Sequence, residues 1–160
     1  IINMKNLILM LLVIVISCKQ KSSSHEEKYA VPTYKKKAQD PSRHKLFQKY
    51  IKENDTEQFN RLAGDLELAL QYDELLHYSI QMANRNNTPK AYYNIYSVLS
   101  NPSDGTSFKN LDAKTRNLAL YNLIKSYELG YDRAKTDIDE IFGEGKKHEK
   151  SEYYLLQYSK

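Results

Sequence analysis

With 160 residues the chain has room for one domain once an export leader is set aside, and 41% hydrophobic with 28% charged residues exclude both a fully disordered chain and a multispan membrane protein. The formal net charge of +4 is too mild to mark a nucleic-acid binder, and a single cysteine excludes an intramolecular disulfide. Five Gly and four Pro among abundant Lys, Glu, Asn, Leu and Tyr favour helices over short, turn-punctuated strands, so an all-α domain is expected.

After Ile1, Ile2 and Asn3 the sequence runs Met4-Lys5-Asn6, the apolar run Leu7 to Ile16, and Ser17-Cys18. That is a basic n-region, an h-region and a small residue at a cut site, the layout of a signal peptide over 1–17 with its start expected at Met4. About ten apolar residues reach only ~15 Å as a helix, well short of a ~30 Å hydrocarbon core. The four residues Val15-Ile16-Ser17-Cys18 resemble the lipobox of bacterial lipoproteins. The resemblance implies cleavage between Ser17 and Cys18, a diacylglycerol on the Cys18 thiol and a further acyl chain of palmitate type on the new amino group, so that the lipid bilayer itself is a partner. Several acyl chains exceed the two-signal threshold for stable anchoring. Lys19 follows where an inner-membrane retention signal usually has Asp, which directs the expectation to the periplasmic face of the outer membrane.

From 18 to 39 the lipidated cysteine and a Ser-, Lys- and Pro-bearing stretch read as a tether, with an r.m.s. reach of roughly 25 Å for about 21 flexible residues. Helical signals then occupy 40–160. Asp40-Pro41 starts a helix through about 53, carrying Leu46, Phe47, Tyr50 and Ile51. Asp55 with Gln58 has capping-box spacing, and an apolar stripe runs from Phe59 to Leu70 through a weak point at Gly64, as one bent helix or two, before Leu75, Leu76, Ile80 and Ala83 continue the pattern. Thr88-Pro89 caps and opens the next helix, Asp112 the one after, Asp132 another that ends at Gly143, and Ser151 caps a short last one.

A shift of 43 residues pairs Tyr78 with Tyr121, Ala91 with Ala134, Ile95 with Ile138 and Leu99 with Phe142, so two helix pairs, about 73–100 and 116–143, share one pattern. Ala119, Gly130, Ala134, Ile138, Phe142 and Gly143 resemble the Sel-one-like repeats, longer relatives of the tetratricopeptide repeats. The first pair departs from that pattern with Asn87 where glycine is usual. The resemblance implies a short solenoid of antiparallel helix pairs, with 41–72 covering its N-terminal end.

No HExxH, GxSxG, P-loop or CxxC is present, and His25, His44, His77 and His148 are scattered without metal-ligand spacing, so no cofactor and no catalysis are expected. The residues that attract a functional reading are the tyrosines, fourteen in a chain without Trp, and the carboxylates of the last strong helix. Tyr92 and Tyr96 fall together at helical spacing, and Asp137, Glu140 and Glu144 share a face at i, i+3 and i+7. Tyrosine combines apolar area with a hydroxyl and is enriched at interfaces. Tyr92, Tyr96 and Tyr127 beside that acidic face are therefore expected to form the surface for a protein partner. A lipid-anchored, non-enzymatic binding protein follows as the expectation, either an immunity protein that neutralises a delivered toxin or an envelope adaptor. A hydrolase built on Asp137, Asp139, Glu140 and Glu144 is the less favoured alternative.

Overall fold

The structure is a computed structural model that describes residues 33–37, 39–101 and 107–160. The expected leader, Cys18 and most of the expected tether lie outside the described residues. Every regular element among the described residues is helical.

Helix α1 (Ser42–Glu53) starts where the Asp40 carboxylate accepts the Ser42 N–H at 2.8 Å and stops at Asn54, which takes the left-handed conformation at φ 56°. Helix α2 (Thr56–Leu68) starts where Asp55 accepts the Gln58 N–H at 3.1 Å. It runs straight through Gly64 and breaks instead at Leu70, whose φ is 58°. A helical glycine costs only about 1 kcal/mol, and burial of Phe59, Ala63 and Leu66 on the same face offsets it. The stripe from Phe59 to Leu68 is thus one unbroken helix, and the chain reverses after it at Leu70. The reversal sends α3 (Tyr72–Asn86) back along α1, so that Tyr78 stacks on Phe47 with ring centroids 4.0 Å apart and Phe47 meets the Phe59 edge at 5.5 Å.

Asn87, at φ 52°, ends α3 and leads into α4 (Pro89–Ser100). Thr88 holds the N-cap position of α4, but its buried hydroxyl makes no capping bond and has no partner, so the start rests on the fixed φ of Pro89. A single 3-10 turn, Phe108–Asn110, precedes α5 (Ala113–Glu128), where the Asp112 carboxylate accepts the Lys114 and Thr115 N–H groups at 2.9 and 3.0 Å. Gly130 at φ 92° and Gly143 at φ 95° bracket α6 (Arg133–Phe142). Ser151 is the first residue of α7 (Ser151–Tyr158) rather than its cap; its N–H and hydroxyl both donate to the Glu128 carboxylate, at 3.2 and 2.6 Å.

The interior has two parts that meet at α4. One holds Phe47, Phe59, Leu66 and Met82, all fully buried, beneath α1 to α4. The other holds Ala119, Leu123, Ile124 and Ala134, also fully buried, among α4 to α7. Positions 43 apart behave alike: Ala91 and Ala134 are both fully buried, Ile95 and Ile138 nearly so, and Asn87 and Gly130 both have positive φ. The outward faces differ. Where α4 places Tyr92 and Tyr96, α6 has Lys135 and Asp139, paired at 2.5 Å. Helix α7 lies mainly along α5.

The expected tether boundary at residue 39 moves. Residues 33–37 form a helical turn, Tyr34 packs against the first core, and Lys37 Nζ lies 4.0 Å from Asp65. The aromatic ring supplies the apolar area that a Lys-rich segment otherwise lacks, so the folded part begins before residue 40.

Candidate binding surface

The six residues expected to share a surface are divided by the fold. Tyr92 is buried between the hairpins, its hydroxyl donating to Asn87 Oδ1 at 3.1 Å and its ring edge-on to Tyr121 at 6.2 Å. Tyr127 lies elsewhere on α5, exposed, with its ring edge-on to His148 at 6.2 Å. Glu144 follows Gly143, where the chain leaves the helix, so it cannot continue the i, i+7 face. Tyr96, Asp137 and Glu140 do come together. The 40° between Tyr92 and Tyr96 around α4 looks negligible on a helical wheel. It is enough to turn the Tyr92 ring edge-on to Tyr121 of α5 and the Tyr96 ring toward Glu140 and Ile141 of α6.

Tyr96 and Glu140 line a cavity of 510 Å³ together with Phe108, Arg116, Leu120 and Ile141. Ser107 and Lys109 complete its rim. The floor is apolar and aromatic, while Arg116 and Glu140 carry opposite charge, the composition usual for a binding cleft. Arg116 is fixed by Nη2 donating to the Leu111 carbonyl at 2.8 Å, while its buried Nε has no partner. Burial, followed by the Asp137 and Glu140 charges, pushes the Tyr96 hydroxyl up to about 12, so it is a neutral donor at any physiological pH. Behind it, Tyr93 donates to Asp137 Oδ2 at 2.8 Å and the Arg133 guanidinium lies 5.5 Å from the Tyr93 ring centre. Tyr93 packs against Tyr96 at 5.8 Å and Tyr131 at 5.0 Å, so this aromatic group backs the cavity wall.

Tyr93, Phe108, Arg116, Leu120 and Ile141 were not among the expected residues. The i, i+3 spacing of Tyr93 and Tyr96 was an available signal, since it joins them on the same side of α4. The other four come from three separate elements, and no local pattern links them.

The carboxylates of α6 serve different neighbours. Asp137 accepts from Tyr93, Asp139 is bonded to Lys135 and held below the ordinary carboxylate range by that bond, and Glu140 faces the cavity. His44 lies 2.9 Å from the Tyr78 hydroxyl, and His148 sits between Tyr127 and Phe142. Among the described residues no group of three His, Cys, Asp or Glu could hold a metal ion, and no helix is long and apolar enough to cross a membrane. No protein-family model, curated protein or solved structure matches the chain.

Proposed function

We propose that the chain is an envelope lipoprotein, held by acylated Cys18, whose helical domain acts by binding another protein rather than by catalysis. The observation that carries the binding reading is the 510 Å³ cavity in which Tyr96 and Glu140 meet Phe108, Arg116, Leu120 and Ile141. An aromatic donor and two opposite charges over an apolar floor suit an anchor side chain of a partner. The lipobox-like Val15-Ile16-Ser17-Cys18 supports the anchor, and outer-membrane placement follows from Lys19. In this reading the domain stands near the bilayer and meets partners at the membrane surface, as an immunity protein against a delivered toxin or as an envelope adaptor.

The test is photo-crosslinking in living cells, with the reactive side chain placed at Lys109 on the cavity rim and, as control, at Glu57 on α2. One discrete protein adduct from position 109 and none from 57 supports the proposal. Equal, diffuse labelling from both positions contradicts it.

A further inference from the structure

The groove between α1 and α3 is chemically unlike the Tyr96 cavity. It encloses 610 Å³ and is lined by Gln48, Ile51, Lys52, Gln81, Asn84 and Arg85. Two cations and three amides line it, and no carboxylate does. Gln48 Nε2 donates to Gln81 Oε1 at 3.0 Å, and Gln81 Nε2 donates to His77 Nε2 at 2.6 Å, so two of the amides and the His77 ring form a hydrogen-bonded row across the two helices. Asn86 Nδ2 donates to the Ile51 carbonyl at 2.7 Å and pins the end of α1 to α3. Lys52 and Arg85 stand in the last turns of their helices, where each also offsets the terminal carbonyls. That role requires neither the amide row nor the further exposed lysines, Lys45 and Lys49, on the same side of α1.

We propose that this groove is a docking site for the phosphate groups of anionic phospholipid headgroups, so that the domain rests on the bilayer through α1 and α3. Charge complementarity carries the choice of occupant: Lys and Arg neutralise phosphate, and the amides supply further N–H donors. Its position also fits, because α1 is the first full helix after the segment that leads from Cys18, and Lys35 and Lys36 are exposed just before it. The orientation rests on the membrane-anchored reading above, but the headgroup site does not require the acyl chains. The two therefore fail separately.

The processed chain beginning at residue 18, carrying Cys18→Ser to remove lipid attachment, is sedimented with vesicles of phosphatidylcholine alone or with phosphatidylglycerol added. Binding to the anionic vesicles only is expected. Lys52→Gln with Arg85→Gln lowers that partitioning about 30-fold, from roughly fivefold per surface charge. Lys114→Gln with Lys147→Gln, which removes the same charge elsewhere, lowers it far less. Lys52→Arg with Arg85→Lys restores it, and matched helicity by circular dichroism shows that every variant is folded. If the neutralised pair does not fold, the side-chain amide resonances of Gln48, Gln81 and Asn84 in the Cys18→Ser chain must shift on adding anionic vesicles. The proposal is overturned by equal binding to neutral vesicles, by equal loss in the two charge-removing pairs, or by unshifted amides. Capture of an acidic peptide without vesicle binding also overturns it.

Discussion

The Tyr93 hydroxyl donates a 2.8 Å hydrogen bond to Asp137, tying the middle of α4 to the middle of α6 directly behind the Tyr96 cavity. The bond sits among the Tyr96 and Tyr131 rings, partly shielded from water. Tyr93→Phe removes the donor and leaves a half-buried carboxylate without it, at a cost of about 1–2 kcal/mol. Asp137→Asn keeps an acceptor and costs less. Urea unfolding of both single variants and the double variant gives the coupling energy, which is expected to be clearly non-zero.

Tyr96 gives the cavity a pH signature. Its hydroxyl is raised from 10.0 to about 12 in the folded chain, chiefly by burial. A folded-state pKa above the unfolded one means that the unfolded chain loses this proton first. The associated stability is fully present below pH 10 and is lost as pH rises through 12. Unfolding titrations from pH 9 upward check this. Tyr96→Phe shows a shallower decline than the wild type across that window.

At the other end of the domain, the Glu128 carboxylate receives both donors of Ser151, a residue with no exposed surface. Helix α7 has eight residues and exposes Tyr153, Leu155 and Leu156, so little apolar burial holds it in place. Ser151→Ala removes the 2.6 Å bond and costs about 1–2 kcal/mol. Hydrogen exchange locates the effect: amides of α7 exchange faster than in the wild type, while those of α1 to α3 are unchanged.

Leu70 adopts φ 58° with 60% of its surface exposed, so the backbone strain of the α2–α3 reversal has little side-chain burial to offset it. A left-handed conformation costs a non-glycine residue roughly 1–2 kcal/mol. Leu70→Gly is expected to be neutral or stabilising by up to about 1 kcal/mol, whereas Leu70→Ala, which keeps the Cβ, gives no gain. Thermal melts of the two variants distinguish these outcomes.

Leu70 also shows where reading the sequence stops. Helix starts at Asp55 and Asp112 were legible because a carboxylate in reach of free N–H groups is a local device, and the turns at Gly130 and Gly143 because glycine accepts positive φ. A leucine in the same conformation carries no such mark, and Gly64 drew attention to a place where packing simply carries the helix through. Little of the cavity was legible. Of its lining only Tyr96 and Glu140, with Asp137 behind them, could be named from helical spacing. Phe108, Arg116 and Leu120 join them only because α4, α5 and α6 pack around one space, a relation between distant segments that periodicity does not encode.

The central claim, that the domain works by gripping a partner at this cavity, is tested most directly by a charge placed on its floor. Ile141→Arg is compared with Leu118→Arg, a substitution on a half-buried α5 residue outside the cavity, in cells bearing the photo-crosslinker at Lys109. The account predicts that the wild-type adduct disappears in Ile141→Arg and persists in Leu118→Arg, with both proteins folded and present at similar levels. An adduct of undiminished yield in the Ile141→Arg protein would contradict it.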